Sequence, residues 1–459
     1  MQTTAIRLYG KNDLRLDRFE LPEIKDTEIL AKIVSDSICM SSYKAAMQGE
    51  NHKRVPDDVA ENPVIIGHEF CGVLVKIGAK WADKYKAGDK FVIQPSLNYK
   101  GSLDAPGYSF RYIGGDATYI VIPEEVMIMN CLLPYESDSF FCGSLTEPLS
   151  CVIGAFHASY HTTRGSYEHS MGIKEGGKMA IIAGVGPMGL AAIDYIIHCP
   201  RRPATLVVTD IDEARIKRAG EILPVEEAKK NGIELTYVNT AGIEDTVTYL
   251  KDLAGGAYDD VFVFAPVAAV VEMADKLLAN DGCLNFFAGP TNPEFSAMFN
   301  FYNVHYAATH IVGTSGGNTD DMIESIEMIK EGKLNPAILV THIGGLDSVV
   351  ETTLNLPKIP GGKKLIYTGV SLPLTAISDF EKKGKTDPFF KDLADIVKKT
   401  NGLWNAEAEQ PCRASCSDAS ARRCFRPARS PDRARLWADG IRECRSAAYR
   451  PLSASYRRP

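Results

Sequence analysis

Two polar residues that could bind a metal ion interrupt a long apolar stretch near residue 70. Residues 64–78 read VIIGHEFCGVLVKIG, which has the pattern of a buried strand except at His68 and Glu69. A buried imidazole and a buried carboxylate destabilise a fold unless each has a partner. A metal ion or a tight hydrogen-bond network would supply that partner. The alternative is a satisfied core histidine beside a surface glutamate.

Cys39 and Glu147 are the residues that could complete a metal site with this pair. Cys39 lies in SDSICMSSYKAA and Glu147 lies in LTEPLSC. Thiolate, imidazole and carboxylate are all zinc ligands, and a catalytic zinc keeps one position open for substrate. The gaps along the chain are too long for spacing alone to establish the site. Taken singly, Cys39 would be a small buried apolar residue, and Glu147 a charge at a helix N-terminus.

A glycine-rich turn has the spacing of a dinucleotide-binding motif. It follows the apolar segment KMAIIA and opens the helical segment MGLAAIDYII. Glycines in this context let the backbone approach a pyrophosphate at a helix N-terminus. The predicted cofactor-binding residues of the turn are Gly184, Gly186, Pro187, Met188 and Gly189. The alternative is a glycine-rich turn without a ligand.

An acidic residue follows the glycine turn at the distance expected for a ribose contact. Asp210 ends the segment TLVVTD, 21 residues after Gly189. A carboxylate at this position can accept both ribose hydroxyls and repels a 2′-phosphate, so the sequence predicts NAD(H). Arg215 lies five residues further on and could also reach the ribose edge. It keeps NADP(H) open as the alternative cofactor.

The elements that must position these residues fall into two types. Residues 1–150 contain short β-like runs ended by Gly, Pro, Asn or Asp, which predict an irregular, mostly antiparallel β domain. From residue 176 strands alternate with helices, which predicts a doubly wound parallel sheet. After the amphipathic segment DDMIESIEMIKEGKL the chain returns to short strands. We therefore predict an α/β protein in which the parallel-sheet domain is inserted into the β domain.

Composition narrows the class of protein. The 459 residues are 45% hydrophobic and 24% charged, as in ordinary globular proteins. The sequence has no run of 18 apolar residues and no N-terminal segment of signal-peptide type, so neither a membrane partner nor a secretory leader is predicted. The eleven cysteines are scattered without a disulfide framework, which is typical of a reducing cytoplasm.

The C-terminal end differs in composition from the rest of the chain. Residues 411–459 contain 12 Arg and no Lys, for a net charge of +8, whereas residues 1–410 carry −15. A basic nucleic-acid arm is one interpretation. The favoured interpretation is an appended or out-of-frame tail that is largely disordered. We therefore expect residues 403–459 to contribute nothing to the fold or the site, and we predict no specific nucleic-acid partner.

The motifs together resemble the zinc-dependent medium-chain alcohol and polyol dehydrogenases. GHEFCGVLVKIG, AGDKFVIQP, GGDATYIVIP, TEPLSC, GVGPMG and VTDIDEARIKRA occur in the order found in that family, over roughly residues 5–370. The resemblance implies a GroES-like catalytic domain (1–156 and 316–371) interrupted by a Rossmann NAD-binding domain (157–315). A helical extension (372–402) and the Arg-rich tail (403–459) follow.

The resemblance also implies roles for individual residues. Cys39 and His68 would bind one catalytic zinc, and Glu69 and Glu147 would complete its shell directly or through water. Ser41 matches the hydroxyl that passes on the substrate proton in that family.

Two features depart from the family pattern. Lys44 replaces a relay histidine that many relatives carry, and residues 89–116 lack the four cysteines of a second, structural zinc.

The resemblance is greatest to the group that reduces L-sorbose 1-phosphate, with sorbitol and galactitol-phosphate dehydrogenases as further relatives. It implies a ketose phosphate and sugar-alcohol phosphate as the substrate pair, and a dimer or tetramer. Lys53, Arg54 and Arg111 are candidate phosphate ligands, because a sugar phosphate needs such donors. Each could instead be an ordinary solvated charge. The alternatives are an unphosphorylated polyol or secondary alcohol as substrate, and a zinc-free quinone-reductase-like or structural relative.

Overall fold

The computed structural model describes residues 1–413, which form nineteen strands and fifteen α-helices. The strands are β1 Gln2–Gly10, β2 Asp13–Glu20, β3 Ile29–Ile38, β4 Val64–Ile65, β5 Phe70–Ile77, β6 Lys90–Ile93, β7 Tyr119–Ile122, β8 Leu132–Pro134, β9 Tyr160–Thr162, β10 His169–Met171, β11 Lys178–Ile182, β12 Thr205–Asp210, β13 Glu234–Asn239, β14 Tyr258–Val263, β15 Leu278–Phe286, β16 His310–Val312, β17 Val340–Gly345, β18 Lys363–Tyr367 and β19 Thr375–Ala376. The helices are α1 Met40–Gln48, α2 Glu124–Ile128, α3 Phe140–Ser144, α4 Thr146–Ala158, α5 Pro187–His198, α6 Glu213–Ile222, α7 Val225–Lys230, α8 Thr246–Leu253, α9 Ala268–Leu277, α10 Phe301–Tyr306, α11 Thr319–Lys330, α12 Val349–Leu354, α13 Phe380–Gly384, α14 Pro388–Lys398 and α15 Ala406–Arg413.

The β domain is built around strand β3, which pairs with β5, β7 and β18, all antiparallel. The apolar residues Ile29, Ala31 and Ile33 of β3 are fully buried in the core beneath the sheet. Strands β17, β18 and β19 come from the far end of the described chain, yet they share this eight-stranded sheet with β3, β5, β6, β7 and β8. The β domain is therefore discontinuous in sequence.

The second sheet is parallel and has six strands in the order β13-β12-β11-β14-β15-β16. Its central strands are nearly continuous apolar runs, because helices cover both faces of such a sheet. In β11, for example, Met179, Ala180, Ile181 and Ile182 are all buried. The strand order reverses direction between β11 and β14, which is where ligands bind in doubly wound sheets. The predicted α/β architecture is confirmed.

The C-terminal boundary predicted at residue 403 is wrong. Trp404 is 1% exposed, and α15 packs Ala408 and Cys412 into the main core. The Glu409 carboxylate accepts hydrogen bonds from the backbone N–H groups of Phe140 and Phe141, at 2.9 and 2.7 Å. Residues 404–413 are therefore part of the fold. The remainder of the predicted tail, 414–459, lies outside the described residues.

None of the helices within residues 1–413 is both long enough and apolar enough to cross a membrane.

Candidate active site

Three of the predicted metal ligands meet in the β domain. Cys39 is the single residue between β3 and α1. His68 and Glu69 lie in the turn that leads into β5. One ligand atom of each side chain lies within 4.8 Å of the other two. His68 and Glu69 are buried, whereas Cys39 is partly accessible. A thiol, an imidazole and a carboxylate in this arrangement match the donor set of a zinc site.

The His68 ring is held at both nitrogens. Its Nε2 lies 3.2 Å from the Tyr108 hydroxyl, and its Nδ1 lies 3.4 Å from Ser42 Oγ. Burial lowers the pKa of His68 to about 4, although the Glu69 carboxylate acts in the opposite direction. The ring is therefore neutral at physiological pH, which is the form that binds metal ions.

Glu69 forms a buried ion pair with a residue that the sequence analysis did not single out. Lys363 Nζ contacts both Glu69 oxygens, one of them at 2.6 Å, and Ser37 Oγ donates to the same carboxylate. Burial opposes the carboxylate charge, but the Lys363 ammonium holds the pKa of Glu69 below its ordinary value. Oε2 accepts from both donors, whereas Oε1 accepts only from Lys363 and retains a further lone pair. Glu69 is thus fixed in the ionised state beside Cys39 and His68.

Glu147 lies near this cluster but is not one of the three residues within 4.8 Å. It occupies the first turn of α4, is buried, and accepts a weak hydrogen bond from Cys151 Sγ at 3.6 Å. Burial and the charge of Glu69 raise the pKa of Glu147 to about 8. Burial and the same carboxylate raise the pKa of Cys39 to about 12. A divalent cation would offset this concentration of acidic groups and lower both pKa values, so the residues present fit a zinc ion.

The glycine motif forms the turn between β11 and α5. Leu190 N–H donates to the Gly186 carbonyl, which starts α5 at Pro187. A Cβ atom on Gly189 would lie 2.0 Å from the Gly184 carbonyl oxygen, so the helix can pack this closely only with glycine there. A Cβ on Gly186 would meet nothing within 4 Å. The open side of the turn thus leaves space for a pyrophosphate at the helix N-terminus.

Asp210 lies at the carboxyl end of β12, next to this turn. Its Oδ1 accepts hydrogen bonds from the N–H groups of Ile211 and Asp212, at 2.8 and 3.1 Å. These contacts hold the carboxylate at the sheet edge where a ribose would bind. Arg215 points elsewhere, because its Nε lies 3.5 Å from Asp212 Oδ2 on the surface of α6.

A cleft of about 800 Å³ lies between the β domain and one end of the parallel sheet. One wall comes from the β domain and includes Ser41, Lys44, Lys53 and Arg54. The opposite wall consists of the segments that follow β15 and β16, at residues 286–293 and 313–315. The cleft lining contains three cationic side chains and no carboxylate.

The three cations are placed differently within the cleft. Arg54 Nε is buried without a hydrogen-bond partner, and its guanidinium carbon lies 5.4 Å from the centre of the Tyr108 ring. Lys53 is exposed at the cleft, and Lys44 Nζ donates across it to the Gly289 carbonyl at 2.8 Å. Arg111 is not part of the cleft lining, and its guanidinium instead stacks on Tyr112.

Sequence reasoning missed two residues of the site, Lys363 and Tyr108. A signal existed for Lys363, because a lysine pair opens the apolar run KKLIY and a buried lysine needs an anionic partner. No comparable signal marks Tyr108, which lies in a loop and whose position depends on the tertiary fold.

Comparison with known proteins agrees with this geometry. Residues 25–132 match the family model described as alcohol dehydrogenase GroES-like domain, and residues 187–331 match the model described as zinc-binding dehydrogenase. The chain belongs to the zinc-binding alcohol dehydrogenase family. The GroES-like and Rossmann domains predicted from the sequence are confirmed. Zinc and a nicotinamide dinucleotide are confirmed as cofactors at the level of the family.

Two relatives are similar over nearly their whole length. Mannitol-1-phosphate 5-dehydrogenase of Aliivibrio fischeri is 55% identical over 410 residues, covering 89% of this chain and 97% of the relative. L-sorbose 1-phosphate reductase of Klebsiella pneumoniae is 52% identical over 408 residues, covering 89% and 96%. The crystal structure of 2R,3R-butanediol dehydrogenase from Bacillus subtilis has the same fold, with a TM-score of 0.63, 22% identity, and coverage of 80% of this chain and 99% of that one.

Proposed function

We propose that this enzyme interconverts a ketose phosphate and a sugar-alcohol phosphate by hydride transfer with NAD(H), as in the reduction of L-sorbose 1-phosphate to D-glucitol 6-phosphate. The observation that carries the proposal is the cleft, which contains Lys44, Lys53 and Arg54 and no carboxylate. A cation with a buried, unpaired Nε, such as Arg54, favours an anionic ligand. The two relatives described above, whose names specify sugar phosphates, support the same substrate class.

Different residues of the site would bind the metal, transfer the proton and bind the phosphate. Cys39 and His68, with Glu69 and Glu147 beside them, would hold a zinc ion that supplies a Lewis acid for the substrate oxygen. Ser41 faces the cleft next to this cluster and would carry the proton to or from that oxygen. Lys53 and Arg54 would bind the phosphate. Lys44 could exchange this proton with solvent only after its hydrogen bond to the Gly289 carbonyl breaks.

Cofactor choice follows from Asp210. Its carboxylate is fixed by two backbone N–H groups at the ribose end of the sheet, and Arg215 is turned away toward Asp212. We therefore infer NAD(H) rather than NADP(H). A larger kcat/KM for NADH than for NADPH would support this choice, and a strong preference for NADPH would contradict it.

The substrate proposal is tested by comparing kcat/KM for ketose phosphates with kcat/KM for the same ketoses without phosphate. We expect the phosphorylated ketose to be favoured. Arg54→Gln and Lys53→Gln should each lower kcat/KM for the ketose phosphate about 10- to 100-fold, the loss expected for one charge-assisted hydrogen bond of about 1.5–3 kcal/mol. Both variants should leave the activity on the free ketose nearly unchanged.

Arg111→Gln is the matched control, because it removes the same charge outside the cleft. It should leave both activities unchanged. An enzyme that prefers the free ketose would instead identify an unphosphorylated polyol as the substrate. A phosphate preference that survives in both Arg54→Gln and Lys53→Gln would show that other residues bind the phosphate.

We also propose a cytoplasmic homo-oligomer. Seven cysteines within residues 1–413, from Cys39 to Cys283, form no disulfide, which fits a reducing compartment. Helix α10 exposes Phe301 (76%), Tyr302 and Tyr306 (70%) beside β16, the last strand of the parallel sheet. An apolar patch next to a strand edge is typical of a surface that pairs with a second copy.

A further inference from the structure

Tyr108 lies at the meeting point of the ligand cluster and the cleft. The residue is 2% exposed, and it is part of the cleft lining. Its hydroxyl lies 3.2 Å from His68 Nε2, and Ser41 lines the same cleft. The phenol is therefore next to a metal ligand and in the same cleft as the group that would move the proton.

The ring of Tyr108 is fixed by its surroundings. It stacks nearly parallel to His52, with ring centres 5.8 Å apart, and contacts His68 at 4.8 Å. The loop that carries it is tied to the β domain, because Ser109 Oγ donates to the Arg54 carbonyl at 2.6 Å. A hydroxyl on a ring held in this way is preorganised, so little conformational freedom is lost when it binds a ligand.

The approach of this loop depends on Gly107. Its φ angle is +79°, a conformation that favours glycine. A Cβ atom at Gly107 would lie 2.1 Å from the Gly67 carbonyl oxygen, so only glycine lets the loop approach the turn that carries His68. The backbone is thus shaped to bring the next residue, Tyr108, against the ligand cluster.

The bond between Tyr108 and His68 is incompatible with a metal on the same ring nitrogen. A nitrogen that ligates a metal ion has no lone pair or proton left for a hydrogen bond. With Nε2 so occupied, the Tyr108 hydroxyl needs another acceptor, since a buried donor without one is unfavourable. The reacting oxygen of a substrate bound beside Ser41 would be an acceptor for the Tyr108 hydroxyl.

We propose that Tyr108 is a catalytic residue whose hydroxyl donates a hydrogen bond to the reacting oxygen of the substrate, alongside Ser41. This inference rests on the proposed function. During reduction the hydride goes from NADH to the carbonyl carbon, and the proton reaches the carbonyl oxygen through Ser41. Tyr108 keeps its own proton and stabilises the negative charge that develops on the oxygen. A tyrosine hydroxyl, with an ordinary pKa near 10, is a neutral donor at physiological pH.

The test is a stopped-flow measurement of single-turnover NADH oxidation by Tyr108→Phe holoenzyme with a ketose phosphate. We expect the rate constant of hydride transfer to fall about 10- to 100-fold, somewhat less than the 10²–10³ typical of a lost oxyanion-hole donor, because Ser41 remains. The amplitude, the zinc content and the Kd for NADH should stay within twofold of the unmodified enzyme. Tyr112→Phe, in the same segment but outside the cleft lining, should leave every value unchanged.

Misfolding would lower the amplitude without lowering the rate constant. A rate constant within twofold of the unmodified enzyme therefore overturns the proposal, whatever the amplitude. Loss of zinc in Tyr108→Phe would also overturn it, because it would show that the hydroxyl acts on the metal site. If the unmodified enzyme reduces only a free ketose, the phosphate assignment fails, and the same comparison on that ketose still decides the role of Tyr108.

Discussion

At the scale of single residues, the buried ion pair between Glu69 and Lys363 determines the charge of the site. Both side chains are nearly inaccessible to water, and they join the turn before β5 to the start of β18. An ion pair of this kind adds little net stability compared with an apolar pair, but the loss of one partner leaves an uncompensated buried charge. The pair also keeps one carboxylate ionised next to Cys39 and His68.

Lys363→Met should lower the free energy of unfolding by about 3–5 kcal/mol at pH 7, measured by urea denaturation. The Lys363 charge lowers the pKa of folded Glu69, so the stability it contributes is present above the unfolded pKa of about 4.3 and is lost as the pH falls through the folded value. In Lys363→Met the ammonium no longer offsets burial, which raises the pKa of Glu69, so the folded carboxyl takes up a proton above about pH 4.3 and the deficit of the variant should shrink between pH 7 and about pH 4.3. The double variant with Glu69→Gln should recover part of the loss. A deficit independent of pH would contradict this account.

The ligand cluster makes a separate prediction about metal content. Elemental analysis should give about one zinc per chain, the number for a single catalytic site. Cys39→Ser should lose that zinc and its activity while NADH binding is retained, because the glycine turn and Asp210 belong to the other domain. Cys131→Ser changes a buried cysteine outside the cluster and should retain the metal. Two zinc ions per chain would show that a second site exists.

The extent to which the site could be predicted from sequence depends on residue type. Cys39, His68 and Glu69 have side chains whose chemistry is specific, and a histidine–glutamate pair in an apolar run is conspicuous. Lys363 could not be matched to Glu69, because the two are 294 residues apart and only the sheet brings β18 next to β3. Arg111 was predicted as a phosphate ligand from charge alone, and the structure places it outside the cleft.

At the scale of elements, the strand–helix alternation of the parallel sheet could be read from its periodicity, whereas helix α15 could not. Two apolar residues of α15, Ala408 and Cys412, are buried, and two are too few to give a clear apolar pattern. Its position also depends on polar contacts, since Glu409 bonds to the start of α3 and Trp404 Nε1, just before the helix, donates to Tyr367 at 2.8 Å. Such contacts leave no periodic signature in a sequence.

Glu409→Ala should lower the free energy of unfolding by about 2–4 kcal/mol, because two buried N–H groups lose their acceptor. Glu407→Ala on the same helix removes an exposed ion pair with Lys399 and should change stability by less than about 1 kcal/mol. Truncation after Arg413 preserves all these contacts and should leave the thermal midpoint unchanged. Equal effects of the two alanine variants would contradict the role assigned to Glu409.

At the scale of the whole molecule, the two domains line one cleft, and an apolar surface on α10 lies outside it. The cleft is lined by cationic side chains although residues 1–410 carry a net charge of −15. The exposed aromatic side chains of α10 lie on the parallel-sheet domain, and none of them lines the cleft. Assembly through α10 would therefore leave the site accessible.

The oligomer proposal predicts that light scattering after gel filtration gives at least twice the chain mass. Phe301→Asp combined with Tyr306→Asp should shift the protein toward the monomer, because charges in an apolar interface are unfavourable. Tyr249→Asp changes an exposed aromatic residue of α8 and should leave the mass unchanged. A monomer at micromolar concentration without any substitution would exclude this interface.

The contact between Glu409 and α3 has a consequence for the order in which the chain folds on the ribosome. The parallel sheet is complete once residue 312 has been synthesised, so the inserted domain can form while the rest is still being translated. The β domain is completed later, because strands β17, β18 and β19 of its sheet follow residue 339, and Phe140 and Phe141 receive their acceptor only when residue 409 emerges. The core of the β domain is thus incomplete until residue 409 has been translated, and a nascent chain released before that point would expose this unfinished core to chaperones and proteases.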